Sequence, residues 1–250
     1  IYFSPVKSIS FQKINKCEIK KNIGIINDRF FAFSRLLDSG KAQKMEQEPG
    51  ERKLINFLTL KNTPMLNKYS FEFNEGNLEL FDDQKKLISI NPNNPEEVSL
   101  MEQEVLNLDD QVKGPVFLLK NNQNPFFDTN SGGEVMNSIS LINHKSIKDF
   151  EKKMGKEVEH QRFRGNFYID GLDAWEERNW IGKSININGI PFKVDDHIPR
   201  CSATNLKPKS GEITFNLPQK LKEFYDHMDL GVYLIPLKDG EVSIEDKIIV

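Results

Sequence analysis

Along the first hundred residues, apolar positions recur at the short period of strands. "IYFSPVKSI" (1–9) reads as an extended segment, with Pro5 suited to an edge or a bulge. "EIKKNIGII" (18–26) and "RFFAFSRLL" (29–37) read as strands, and "DSGK" (38–41) as the turn after the second. "LINFLTL" (54–60) alternates well enough for another strand. In "YSFEFNEGNLELF" (69–81), Phe71 and Phe73 alternate with polar residues, "NEGN" turns, and Leu78 and Leu80 return, which predicts a hairpin. Several short strands at this spacing suggest a barrel or a sandwich.

The period changes at residue 94. Asn94 can cap a helix, Pro95 suits its first turn, and Val98, Met101, Val105 and Leu108 follow at helical spacing. A packed helix at a domain junction is expected there. Residues 120–134 are polar, glycine-bearing and long, the character of a functional or mobile loop such as a lid. The second half is mixed. "SISLI" and "NFYID" read as strands. "HKSIKDFEKKMG" reads as a helix with Ile147, Phe150 and Met154 on one face and Gly155 as its stop. "SININGIPFKV" is a hairpin on Asn188–Gly189, and "PQKLKEFYDHM" is a helix with Pro218 in its first turn. "GVYLIPLKDGEVSIEDKIIV" closes the chain with strands about Asp239–Gly240.

Composition narrows the classes. The chain has 250 residues, 38% hydrophobic and 28% charged, as in globular proteins. At roughly 100–200 residues per domain, two associated domains are expected. Net charge is −3, which removes the footprint of a general nucleic-acid binder but permits a local basic pocket. No apolar run approaches the ~18 residues of a membrane span, and no signal or transit peptide is visible. Two cysteines, Cys17 and Cys201, make neither a disulfide framework nor a four-cysteine metal site, so a cytoplasmic location is expected. There is no G-x-G-x-x-G, P-loop, G-x-S-x-G or H-E-x-x-H motif. His197 stands four residues before Cys201, but Pro199 between them disfavours the helix that would make this a zinc pair.

The most informative stretch is "PRCSATNLKPKSG" (199–211). A guanidinium beside a thiol favours the thiolate, the form that binds soft metals, so Arg200 and Cys201 are candidates; a buried, inert cysteine is the alternative. Cys17 carries no comparable context. In "QRFRGNFYIDG" (161–171), an extended backbone puts Arg162 and Arg164 on one face as a phosphate clamp or as a solvated ladder. Gly165 would let a ligand approach the backbone, and Asn166 can both donate and accept hydrogen bonds. "VKS" (6–8) and "NDR" (27–29) each add a cation beside hydrogen-bonding groups. In "DAWEERNWIG" (173–182), Trp175 and Trp180 read as core anchors, and Glu176 and Glu177 as arginine partners or caps.

Taken in order, "PVKS", "NDRFF", "RFRGN", "EERNWIG", "RCSATNLKPKSG" and "GVY" resemble the MOSC superfamily preceded by its N-terminal β-barrel domain. Within it the chain is similar to the mitochondrial amidoxime-reducing components and their bacterial relatives. The resemblance implies an α+β, β-rich fold: an N-terminal β-barrel domain over residues 1–108, then a MOSC domain over 109–250 with a β-barrel core and peripheral helices. It implies a molybdenum cofactor (molybdopterin), with Cys201 as the metal ligand and catalytic centre. Lys7, Ser8, Arg29, Arg164, Asn166 and Arg200 would hold the pterin and its phosphate. Where relatives often carry a serine two residues before the cysteine this chain has Pro199, and in "NHKS" Asn143 or Ser146 would have to substitute for the family's serine. The implied function is reduction of N-hydroxylated small molecules with electrons from a separate electron-transfer protein. A sulfur carrier using a Cys201 persulfide, or a non-catalytic cofactor carrier, are the alternatives. Pyridoxal phosphate binding is associated with the superfamily only at family level.

Overall fold

The computed structural model describes residues 1–9, 11–127 and 138–250. The 120–134 segment therefore lies outside the described residues from position 128 onward. The fold is α+β and strand-rich.

The chain begins with β1 (Tyr2–Phe3), β2 (Gln12–Lys13), β3 (Lys16–Lys20), β4 (Gly24–Ile25) and β5 (Phe31–Arg35). In β3, Cys17 and Ile19 are buried while Lys16, Glu18 and Lys20 are exposed, the alternation of a half-buried strand. "DSGK" is not a turn but the start of helix α1 (Ser39–Gln47). Asp38 caps it, its Oδ1 accepting from Lys41 N at 2.9 Å. Asp-Ser-Gly suits a turn and a cap alike; the buried pair Ala42 and Met45, three apart, stabilises the helix.

"LINFLTL" is not a strand either. Leu54–Asn56 makes one 3-10 turn, and Phe57, Leu58, Thr59 and Leu60 are then all buried. With no solvent-facing side, two-residue alternation loses its meaning there. The expected hairpin is present as β6 (Tyr69–Asn74) and β7 (Asn77–Asp82), extended by β8 (Lys85–Ile90). Helix α2 (Pro95–Asn107) follows, capped by Asn94 and burying Met101 and Val105 in the core beneath the meander. Strand β9 (Val116–Lys120) then pairs antiparallel with β5, from Phe31↔Lys120 to Arg35↔Val116.

The second half contributes β10 (Ile139–Asn143), α3 (His144–Met154), β11 (Phe167–Ile169), β12 (Ser184–Ile187), β13 (Ile190–Pro199), α4 (Leu217–Tyr225), β14 (Asp229–Pro236), β15 (Gly240–Ser243) and β16 (Ile248–Ile249). Six of these strands form a half-barrel sheet in the order β11-β10-β14-β13-β12-β16, parallel only between β10 and β11. Gly155 ends α3 in the left-handed conformation at φ 64°, and Asn188 and Gly189 turn the β12–β13 hairpin at φ 51° and 75°. Leu141 of β10 joins the core on one face of the sheet, and Ile142 joins α3 and α4 on the other.

Two pairings tie the halves together. β9 lies beyond residue 108 yet completes a sheet with β5. β15 pairs with β3, so Val242, Cys17 and Ile19 share one core with Leu141, Phe192 and Val232. The N-terminal segment thus packs directly against the sheet that carries β13, and Lys7, Ser8, Arg29, Arg164, Arg200 and Cys201 meet at that seam. No helix among the described residues is long and apolar enough to cross a membrane.

Candidate functional site

A cavity of about 290 Å³ opens at the seam. Lys7, Ser8, Arg29, Arg164, Arg200 and Cys201 all line it, although they come from four distant stretches of chain. The backbone is bent to bring them there. Ser8, Arg29 and Arg164 hold φ values of 65°, 52° and 53°. Non-glycine residues reach this left-handed region at a cost of about 1–3 kcal/mol each, and such strain gathers where a binding geometry is held by its surroundings. The expected extended backbone over 161–171 is therefore corrected. His160–Phe163 is a 3-10 turn, Arg164 is left-handed, and the strand begins only at Phe167.

That change separates the two arginines. Arg162 turns away from the cavity and is almost fully buried. Its Nε donates to Glu159 at 2.6 Å, Nη1 to the Asn205 carbonyl at 3.0 Å, and Nη2 to Thr214 Oγ1 at 2.8 Å. It latches the segment after Cys201 to the segment before β11. Arg162→Ala is expected to lower stability by about 2 kcal/mol or more, read as a fall in Tm, while leaving ligand retention in the cavity unchanged.

Among the described residues, Arg29 and Arg164 face the cavity with donors to spare. Arg29 pairs with Asp28 and lies over the Phe127 ring at 4.2 Å. Among the described residues, Arg164 makes one side-chain hydrogen bond, from Nη2 to the Ile9 carbonyl at 2.8 Å, and lies over Phe11 at 4.8 Å. Burial, with the Arg29 charge adding to it, lowers its pKa to about 10, so it is cationic at neutral pH. Asp28 is the buried hinge of this arrangement. It accepts from Ser4 N at 2.7 Å and from Asn166 Nδ2 at 3.1 Å. Burial pushes its carboxyl pKa up, and the Arg29 charge opposes that shift. Asn166 does not line the cavity. Its Oδ1 accepts from Ser140 N at 3.1 Å and Ser140 Oγ at 2.8 Å, so it ties β10 to the carboxylate that holds Arg29.

Lys7 and Arg200 line the cavity with their charges directed to carbonyls. Lys7 Nζ donates to Phe126 O at 3.1 Å and Phe127 O at 2.7 Å. Arg200 donates from Nε to Leu230 O at 2.8 Å and from Nη1 to Phe163 O at 2.6 Å, bracing the end of β13 against β14. Cys201 is exposed at the rim and caps the 3-10 turn Ser202–Asn205. Its carbonyl accepts from Thr204 Oγ1 at 2.8 Å. The alternative of a buried cysteine thus describes Cys17 instead, whose pKa burial pushes up to about 12. Iodoacetamide at pH 8 is expected to alkylate Cys201 in the folded protein and Cys17 only after denaturation, as peptide mass spectrometry would read out.

Asn143 and Ser146 are not brought to the cavity. Asn143 caps α3 and donates from Nδ2 to Asp173 O at 2.7 Å and Glu177 Oε2 at 3.0 Å. Ser146 Oγ donates to Glu177 Oε1 at 2.7 Å. Both are fully buried around a fully buried carboxylate, and Glu177 takes them as partners in place of the arginine expected from sequence. Gly165 serves packing rather than ligand approach, since a Cβ there would meet Ile142 Cδ1 at 2.5 Å. Trp180 is a core anchor as expected, and Trp175 donates from Nε1 to Asp149 at 2.8 Å. Sequence reasoning passed over Thr59, Lys61, Phe127, Ser140 and Tyr233, which complete the cavity wall. Thr59 lies within the stretch misread as a strand and Lys61 directly after it, and the continuous burial of residues 57–60 is what distinguishes it.

Residues 128–249 match the family model of the MOSC domain. Mitochondrial amidoxime reducing component 2 of Rattus norvegicus is 30% identical over 122 residues, which are 44% of this chain and 36% of that protein. Molybdenum cofactor sulfurase 2 of Culex quinquefasciatus is 35% identical over 85 residues, 34% of this chain and 11% of that protein. The chain thus spans only about a third of the rat relative's length and less of the sulfurase's. Among solved structures, the YuaD protein from Bacillus subtilis aligns over 99% of this chain and 91% of its own, at 11% identity and a TM-score of 0.44. The stretch that matches the MOSC family model includes Arg164, Arg200 and Cys201 of the cavity wall.

Proposed function

We propose that the cavity binds a molybdenum cofactor and that the protein is an oxidoreductase reducing N-hydroxylated small molecules. The observation that carries this reading is the convergence of Arg29 and Arg164, each with donors unused among the described residues, on a cavity whose rim presents an exposed cysteine. The donor set fits the group. Arg29, Arg164 and the Ser8 hydroxyl suit a phosphate, because charge-assisted hydrogen bonds from planar guanidinia are strong and directional. Lys7 adds a third cation at the same end. Cys201 supplies a thiolate, the ligand type that soft metal centres prefer. Bound there, the cofactor supplies the redox chemistry, while the protein supplies anchoring and electrostatics. Leu60, Phe163 and Ile198 give the wall an apolar part that displaces water from the bound group.

The chain carries no dinucleotide-binding motif, and two cysteines cannot ligate an iron–sulfur cluster. Electrons come, in this reading, from a separate donor protein, as the resemblance to amidoxime reducing components implies. The test uses purified molybdenum-loaded protein with reduced viologen and an amidoxime or other N-hydroxylated substrate. Turnover with viologen and none with a nicotinamide cofactor alone is expected. A loaded protein inert to such substrates would favour sulfur transfer through a Cys201 persulfide. The exposure of Cys201 and the similarity to a molybdenum cofactor sulfurase support that second reading.

A further inference from the structure

A second cavity, of about 760 Å³, lies on the other side of Arg164. It shares Leu60, Arg164 and Ala203 with the first, so the two spaces meet along one wall. Its size falls in the ordinary range of small-ligand sites, roughly 300–1,000 Å³. Two of its acids are already paired: Asp83 with Lys209 at 3.1 Å, and Glu159 with Arg162 at 2.6 Å. Lys13 and Lys68 remain without an acidic partner among the described residues, against Glu72 as the remaining acid. Tyr2, Phe11 and Tyr69 add aromatic surface to the lining. Gln12, on β2, contributes a buried Oε1 that accepts no hydrogen bond among the described residues.

Unpaired cations call for an anion, aromatic walls for a flat ring, and an unmet buried acceptor for an N–H donor. From these together we propose that the second cavity binds a nucleoside monophosphate group, its phosphate held by Lys13, Lys68 and the far side of Arg164 and its base among the rings. The proposal rests on the preceding reading only through Arg164 and the shared wall. The group has two sources of the same chemistry: a nucleotide joined to the phosphate of the pterin, or a free nucleotide.

The test begins by denaturing the purified holoprotein and identifying released species by mass spectrometry, then titrates the protein with AMP, GMP, CMP, UMP and inorganic phosphate by calorimetry. At least one nucleotide should be released or should bind at least tenfold more tightly than inorganic phosphate. A pterin–nucleotide species identifies the joined form, and nucleotide alone the free form. The exposed pair Lys13→Ala/Lys68→Ala should weaken nucleotide binding or lower nucleotide content by tenfold or more: with molybdenum content unchanged if the nucleotide is free, and with molybdenum content falling alongside if it is joined to the pterin. No nucleotide released or bound, phosphate binding as tightly as any nucleotide, or full binding by the double variant would each overturn the proposal. Molybdenum content of the parent protein, read in the same preparation, reports separately on the first cavity.

Discussion

Cys201→Ser is expected to purify with at least about tenfold less molybdenum than the parent protein, while Cys17→Ser keeps the parent's content. The two cysteines differ in every property that matters to a metal. Cys201 is exposed on the rim of a cavity lined by Arg29, Arg164 and Lys7. Serine there keeps the shape and loses the thiolate, and a hydroxyl is a poor ligand for a soft centre. Cys17 is buried in β3 opposite Val242, and its raised pKa keeps it a thiol. Serine at that place buries a hydroxyl among apolar neighbours and costs about 1–3 kcal/mol of stability. Elemental analysis of the two purified variants decides the matter. Equal molybdenum in Cys201→Ser and parent would contradict the assignment.

Arg29→Ala and Arg164→Ala are each expected to weaken pterin retention by roughly ten-fold or more, since a charge-assisted hydrogen bond contributes about 1.5–3 kcal/mol. Retention after gel filtration is the measurement, and unchanged retention in both variants would mean these cations are structural. The variants should differ in stability. Arg29 neutralises buried Asp28, whose pKa burial already raises. A carboxyl with a raised folded-state pKa favours the folded state while protonated and loses that contribution as pH rises through its folded value. Removing Arg29 raises that value further, so Arg29→Ala should be less stable at pH 7 than at pH 5, relative to the parent. Adding Asp28→Asn should restore stability but not pterin retention. Among the described residues Arg164 has no carboxylate partner in its hydrogen bonds, and its loss should leave the pH dependence of stability unchanged.

How much of this was legible in the sequence depended on whether a residue's role was local. Helices α2, α3 and α4 were readable because their end signals and apolar residues lie within a dozen residues: Asn94 and Pro95 at the start of α2, Gly155 at the end of α3 and Pro218 in the first turn of α4. The Asn188–Gly189 turn was readable for the same reason. The stretch 54–60 was not, because its burial comes from β5 and from the core behind it, which no local pattern records. Among candidate ligands, Lys7, Ser8, Arg29, Arg164, Arg200 and Cys201 do meet at one cavity. Arg162 and Arg164 looked equivalent at a spacing of two, and one left-handed residue separated them. Asn143 and Ser146 looked available because polar side chains in a sequence give no sign of a buried carboxylate 31 to 34 residues away that binds both. Asn166 was marked for its donors and acceptors, and both are used on Ser140, Asp28 and the Tyr2 carbonyl.

The Arg29–Arg164–Cys201 cavity is proposed to hold a molybdenum cofactor. The most direct measurement is metal and pterin analysis of the protein purified from molybdate-supplied cells that make the cofactor. Close to one molybdenum and one pterin per chain are expected, both lost together in Cys201→Ser or in the Arg29→Ala/Arg164→Ala pair. Protein purified from such cells with neither molybdenum nor pterin would contradict this assignment.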